Sequence, residues 1–161
     1  MRFEGAGQVC ELIVNGKSVG IHRGGYTAFI FDVTDVIHGG ENDFRIVLDN
    51  SHDVNIPPLN ADFTFYGGIY RDVELVITSR DHICNTFYAS SGVFITTPKV
   101  GQSSRVNMKT LLDVTPGTYK VSQKVYSPDG KLVASNEKKT KKKAFLKNRS
   151  LCSRWKCLPN K

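Results

Sequence analysis

The residues best suited to chemistry in this sequence lie where an irregular loop meets a strand, in the segment DFTFYGGIYRD at residues 62–72. The preceding loop, residues 49–62, contains two prolines and no periodicity, and long connections of this kind often carry function. A carboxylate beside a Gly-Gly pair and aromatic rings can accept two hydroxyl hydrogen bonds, which suits a sugar. We therefore predict that Asp62 binds carbohydrate, with Asn60 and Tyr66 as further candidates.

The other large side chains around this segment have simpler explanations. Arg71 and Asp72 are neighbours in a strand and project to opposite faces, so we expect Arg71 to bond carbonyl oxygens or another acid. Aromatic and branched residues of strands usually pack in the core. Four side chains are expected there: Tyr26, Phe63, Phe65 and Ile69.

No other segment has a catalytic or metal-binding signature. The sequence contains neither a glycine-rich phosphate loop nor a nucleophile elbow. Its four histidines share no metal-ligand spacing, and its four cysteines include no Cys-x-x-Cys pair. We therefore predict buried or loose thiols, no metal site, no cofactor and no catalytic residue.

Length and charge limit the classes of protein to consider. A chain of 161 residues is too short for an eight-fold β/α barrel of roughly 250 residues, but it could hold one or two β-sandwiches. Residues 137–161 contain ten Lys and Arg and one acid, which leaves twelve bases and fourteen acids in residues 1–136. Because the body is slightly acidic, we predict that it does not bind nucleic acid.

Hydropathy gives no membrane signal. The first residues lack the apolar core of a signal peptide, and no run approaches 18 apolar residues. We therefore predict no membrane partner and no signal peptide in this chain.

Short segments of alternating polarity, separated by Gly, Asn or Asp, predict an all-β fold. Asn15-Gly16 predicts a tight hairpin between the first two long strands, and the segment Ser127-Pro128-Asp129-Gly130 predicts a turn between the last two. The predicted strands are residues 9–14, 18–21, 26–33, 43–48, 73–78, 92–97, 105–114, 119–126 and 131–134.

Six motifs follow one another within residues 2–79. They are RFEGA at 2–6, VNGKSVG at 14–20, GGYTAF at 24–29, FDVT at 31–34, GEN at 40–42 and GGIYRDV at 67–73. In this order they resemble the N-terminal sugar-binding domain of glycoside hydrolase family 2, which includes β-galactosidases, β-glucuronidases and β-mannosidases. The resemblance implies a partial jelly-roll, galactose-binding-like β-sandwich, followed by a partial immunoglobulin-like β-sandwich. We place these domains at residues 1–84 and 85–136, with a disordered basic tail at 137–161.

The resemblance also implies a role for Asp62. In family members similar to β-galactosidase, an acid ten residues before the Asp of the Gly-Ile-aromatic-Arg-Asp motif contacts the sugar, and Asp62 stands at that position before Asp72. The implied partner is a terminal galactosyl-type sugar in the context of the full enzyme. The family's sodium ligands come mainly from its barrel, so no metal is assigned here.

The family pattern includes earlier strands and a barrel with two catalytic glutamates, so we expect this chain to be a fragment that is inactive alone. We expect residues from about Lys138 onward to be out-of-frame translation or a remnant. Exposed sandwich edges should make the chain self-associate. The sequence does not assign a compartment to the full enzyme, for which periplasmic and secreted locations are both candidates. Two alternatives also remain, a freestanding carbohydrate-binding module and a polybasic tail for membranes or nucleic acid.

Overall fold

The computed structural model describes residues 1–58, 60, 62–142 and the backbone of 149–157. The chain divides into two compact units, Met1–Ile77 and Thr78–Lys161, so the division lies seven residues before the boundary that we placed after Cys84. The described residues form fourteen strands and one 3-10 turn, Phe87–Ala89, and they contain no α-helix. The all-β prediction is confirmed.

The first unit contains eight short strands in three sheets. The strands are β1 (Arg2–Phe3), β2 (Ala6–Gly7), β3 (Val9–Val14), β4 (Lys17–Arg23), β5 (Phe29–Ile30), β6 (Phe44–Asp49), β7 (Gly68–Ile69) and β8 (Val73–Glu74). The sheets have the strand orders β5-β1-β8, β2-β7 and β4-β3-β6, and every pairing is antiparallel.

The predicted hairpin joins β3 to β4. Asn15 and Gly16 both have positive φ, 51° and 78°, which is the backbone of the two-residue turn that matches strand twist. The Asn15 side chain then donates to the Val36 carbonyl at 2.9 Å and to Asn42 Oδ1 at 2.9 Å. The turn is therefore tied to a neighbouring loop as well as to its own strands.

Alternation along β3 builds the core of the first unit. Cys10, Leu12 and Val14 are fully buried, and the residues between them are partly exposed. Phe3, also fully buried, stacks on Phe29 with ring centroids 4.8 Å apart. Burial also raises the pKa of the Cys10 thiol to about 11, so this cysteine is a structural residue.

The second unit combines a sheet with a long hairpin. The sheet has the order β10-β11-β14 with β9 paired to β11, and β12 pairs with β13. Leu112 and Val114 are buried against Tyr119 and Val121. Cys84 is buried and forms no disulfide, in agreement with the prediction of buried or loose thiols. The strands are β9 (His82–Ile83), β10 (Val93–Lys99), β11 (Ser104–Asp113), β12 (Gly117–Tyr126), β13 (Leu132–Lys142) and β14 (Arg149–Cys157).

The prediction of a disordered tail from residue 137 is wrong for the residues that the structure describes. β13 runs to Lys142 and pairs with β12 from Tyr126↔Leu132 to Gly117↔Lys142, while the backbone of Arg149–Cys157 pairs with β11. The physical reason is cross-strand pairing, because β12 offers a complete partner for a lysine-rich segment whose even-numbered positions Asn136 and Thr140 are partly buried. Residues 143–148 and 158–161 lie outside the described residues.

The structure also bears on the membrane prediction. Within residues 1–58, 60, 62–142 and 149–157 there is no helix of the length and hydropathy needed to cross a bilayer.

Candidate functional site

The first unit contains a cavity of about 240 Å³ beside the β6–β7 connection, which includes the loop predicted to carry function. Its walls come from the last residue of β2 and the residue after it, from the β4–β5 and β6–β7 connections, and from the residue after β7. They are Gly7, Gln8, Gly25, Tyr26, Asn50, Phe63, Thr64, Phe65, Tyr66 and Tyr70.

Glycines allow the backbone to come close at this place. Gly7 pairs with Gly68 across β2 and β7, and a Cβ on Gly7 would lie 3.0 Å from the Tyr66 carbonyl oxygen. A Cβ on Gly67 would lie 2.7 Å from Cβ of Asn50, closer than carbon atoms can pack. Gly7 therefore lets the Tyr66 backbone lie against β2, and Gly67 lets its own backbone lie against Asn50.

Side-chain hydrogen bonds fasten the cavity's walls to each other. Asn50 Nδ2 donates to the Phe65 carbonyl at 3.2 Å, and Gln8 Nε2 donates to the Ser51 carbonyl at 2.6 Å. The Tyr70 hydroxyl donates to the Gly25 carbonyl. The first bond closes the β6–β7 connection on itself, the second ties it to the residue after β2, and the third ties the residue after β7 to the β4–β5 connection.

Arg71 supports the site from behind. Its Nη1 donates to the carbonyl oxygens of Glu4 at 3.2 Å and Tyr26 at 3.0 Å, and its guanidinium carbon lies 5.3 Å from the centroid of the Tyr70 ring. The prediction that Arg71 bonds carbonyl oxygens is confirmed. Arg71 therefore fastens the β4–β5 connection to the residue that follows β1.

The aromatic rings are more exposed than the sequence predicted. Phe63 is 56 % exposed, Tyr26 47 % and Ile69 46 %, so the expectation that these residues are core is wrong, whereas Phe65 is partly buried. The rings line or adjoin an open cavity in place of the core. Phe63 and Phe65 make an edge-to-face pair with centroids 5.2 Å apart, which holds their orientation without burying them.

The three predicted site residues lie at different distances from this cavity. Tyr66 lines it and is 79 % exposed. Asp62 is exposed and immediately precedes Phe63, the first ring of the lining. Asn60 is exposed and is not part of the lining. The structure therefore brings Tyr66 to the cavity, leaves Asp62 next to the lining in sequence, and does not bring Asn60 to it.

Besides Tyr26, which was expected in the core, four polar residues of the lining were not among the predicted site residues: Gln8, Asn50, Thr64 and Tyr70. Gln8 and Asn50 follow strand ends that are more than 40 residues apart, so no local pattern connects them. Tyr70 lies within the Gly-Ile-Tyr-Arg-Asp motif, and the motif was the available signal.

The cavity's chemistry suits a neutral ligand with hydroxyl groups. Amide and phenol groups offer hydrogen bonds, ring faces offer apolar contact, and none of the described lining residues carries a charge. The described residues also contain no group of three His, Cys, Asp or Glu side chains placed to hold a metal ion.

Comparison with known proteins places this geometry among glycosidases. Residues 1–79 match the family described as glycosyl hydrolases family 2, sugar binding domain. A β-glucuronidase of Bacteroides fragilis is 39 % identical over 139 residues, which is 85 % of this chain and 20 % of that protein. A β-galactosidase of Thermoanaerobacter pseudethanolicus is 40 % identical over 92 residues, 55 % of this chain and 12 % of its own length.

The likeness extends to solved structures. The crystal structure of a β-glucuronidase from Bacteroides uniformis superposes with a TM-score of 0.90 and 32 % identity, covering 98 % of this chain and 19 % of that one. The chain therefore spans about a fifth of the length of the first relatives that it matches.

Proposed function

Because this chain belongs to glycosyl hydrolases family 2, with residues 1–79 forming the sugar-binding domain, we propose that Asp62 and Tyr66 bind the terminal sugar of a glycoside in the full enzyme. The observation that carries the proposal is the open cavity lined by aromatic and amide groups directly after Asp62. The exposed Asp62 carboxylate, one residue before the lining, can accept hydrogen bonds from two sugar hydroxyls. Asn60 is exposed and lies outside the lining, so it is the weaker candidate.

The sugar that we propose is neutral and of galactosyl type. The described lining contains no cation to pair with a uronate carboxylate, and Asp62 would repel one. Tyr66 and Phe63 offer ring faces for the apolar side of a hexose. Relatives include proteins named β-galactosidase as well as β-glucuronidase, so a glucuronide serves as the alternative ligand in the test.

In this proposal the chain supplies binding and not bond cleavage. The resemblance implies a pair of catalytic glutamates on a barrel, and residues 101–161 contain only Asp113, Asp129 and Glu137 as acids. Glycoside hydrolysis needs two carboxyl groups that flank one bond. The 161-residue chain alone is therefore expected to leave a chromogenic β-galactoside intact.

Asp62→Ala should weaken galactoside binding by at least about tenfold, because a hydrogen bond to a charged group contributes about 1.5–3 kcal/mol. Isothermal titration of the chain with millimolar methyl β-galactoside, and separately with methyl β-glucuronide, measures the effect. Detectable binding by the wild-type chain would also favour the freestanding-module alternative.

The matched control is Asp35→Ala, which removes the same charge from an exposed position of the same unit. Its affinity should equal that of the wild type. Equal affinities for the wild type and the Asp62 variant would contradict the role of Asp62, and tighter binding of the glucuronide would contradict the galactosyl assignment.

We also propose that the chain self-associates through the face of the β4-β3-β6 sheet that carries Glu11. Ile21 and Val47 both pair with Glu11 and share that face, and they are 56 % and 39 % exposed. Ile21→Lys with Val47→Lys should lower the sedimentation coefficient of concentrated protein to that of a monomer. A wild-type chain that sediments as a monomer at every concentration would contradict this proposal.

A further inference from the structure

We propose that the β12–β13 hairpin binds an acidic polysaccharide, a glycan bearing carboxylate or sulfate groups, on the face that carries Lys120 and Lys139. These two residues are direct partners in the antiparallel ladder, so their side chains project to the same side. This basic face is distinct from the cavity of the first unit.

The register of the hairpin collects lysines on one face. Residues two apart in a strand share a side, so Lys124 and Lys141 join Lys120 and Lys139. All four residues are exposed. Residues of one face repeat about every 7 Å along a strand, so the lysines form two short parallel rows of positive charge.

Few acids balance this face. Among the described residues of the hairpin, Glu137 and Asp129 are the only carboxylates. Glu137 pairs with Lys120 at 3.0 Å, and Asp129 pairs with Lys131 at 3.0 Å near the turn. Lysines directly opposite one another destabilise a sheet. The face is therefore electrostatically complementary to a polymer that carries regularly spaced anions.

The net positive charge of the whole second unit also favours binding of an anionic polymer. Residues 78–161 contain 17 Lys and Arg and four acids, whereas residues 1–77 contain five and eleven. The sequence predicts the lysines of residues 137–161 in a disordered tail, with binding of that tail to membranes or nucleic acid as one alternative. The pairing of β13 with β12 places four of those lysines, Lys138, Lys139, Lys141 and Lys142, on folded strands.

Two of these lysines, Lys138 and Lys142, alternate with Lys139 and Lys141 and so project to the other side of the hairpin. Lys142 lies at the end of the ladder opposite Gly117, and its Nζ donates to the carbonyl oxygen of Val114. It is therefore not counted among the ligand-binding lysines.

The residues between the lysines favour a glycan over a nucleic acid. Thr118, Ser122 and Ser135 lie on the same face by register and offer hydroxyl hydrogen bonds to sugar hydroxyls. Positions 118–124 and 135–141 of this face include neither an aromatic ring nor an arginine. Proteins that bind single-stranded nucleic acid combine positive charge with aromatic rings that stack on bases.

The test measures binding of the full 161-residue chain to polygalacturonate, a carboxylated glycan, and to heparin, a sulfated one. Neutral dextran and poly(dT) are measured in parallel. The chain should bind one or both acidic glycans more tightly than poly(dT), and it should not bind dextran. Lys124→Gln with Lys139→Gln should raise Kd for the bound glycan about tenfold and reduce the slope of log Kd against log salt by about two.

Lys17→Gln with Lys99→Gln is the matched control, because both lysines are exposed and lie off the hairpin. It should change Kd less than twofold. The Lys124/Lys139 variant should melt no lower than the wild type, since the change removes like-charge repulsion, so a loss of binding cannot be ascribed to unfolding. Asp62→Ala should leave glycan binding unchanged, which separates this site from the proposed sugar contact.

Three outcomes would overturn the inference. They are no binding to either acidic glycan at low salt, equal weakening by both lysine pairs, and tighter binding of poly(dT) than of both glycans, which would assign the face to nucleic acid.

Discussion

Phe3→Ala should destabilise the first unit by about 3–5 kcal/mol, because it leaves a ring-sized cavity in a core that cannot close around it. Phe3 is fully buried. Its ring lies 4.8 Å from Phe29 in a stacked pair and 6.0 Å from Phe31 in an edge-to-face pair. Aromatic pairs contribute beyond their buried area, so this residue loses two kinds of contact at once.

Urea denaturation followed by circular dichroism measures the effect on the free energy of unfolding. Ile77→Ala is the control, because Ile77 is 85 % exposed and its truncation should change stability by less than about 0.5 kcal/mol. Phe3→Leu should be intermediate, since it retains part of the volume. A Phe3→Ala variant within about 1 kcal/mol of the wild type would mean that this residue does not organise the core.

Gly92→Ala should cost the second unit about 3–5 kcal/mol, through both strain and overlap. Gly92 has φ of +71°, a conformation that alanine adopts at a cost. An added Cβ would overlap the carbonyl oxygen of Cys84 and would lie 2.8 Å from Cγ2 of Ile83. The Gly92 carbonyl also accepts from the Leu111 amide at 2.8 Å, so the backbone cannot shift freely to make room.

Gly101→Ala is the matched control for this substitution. An added Cβ at Gly101 would meet nothing within 4 Å, and its φ lies outside the left-handed region. Gly101→Ala should therefore be neutral or slightly stabilising, since alanine reduces the entropy of the unfolded chain. Equal melting temperatures for the two variants would contradict the packing described at Gly92.

The fold class could be predicted because its signals are local. Asn15-Gly16 specifies a hairpin turn through the φ angles of two residues, and alternation along Val9–Val14 marks a half-buried strand. Six short motifs in a fixed order, the one around Gly67 and Gly68 among them, carried the resemblance to the family. Each of these signals depends on residues within a few positions of one another.

The candidate site was predicted only in part. The loop and Tyr66 could be selected because aromatic residues, glycines and an acid occur together in one segment. The opposite wall could not, since Gln8 and Asn50 reach the cavity through the pairing of distant strands. The exposure of Tyr26 and Phe63 likewise depends on which elements lie next to them in space. The alternation of residues along a strand contains no information about those neighbours.

By itself, then, the sequence determined the strands of this protein, their turns and the family to which they belong, because turn geometry and side-chain alternation are properties of neighbouring residues. Only the tertiary structure determined whether the lysine-rich segment is a strand or a disordered tail. Composition alone indicated disorder there, but β12 supplies the backbone partners that turn Leu132–Lys142 into a strand and place Lys139 and Lys141 on the same face as Lys120. Long-range pairing of this kind depends on which strand is adjacent in space, and a charge count cannot supply that information.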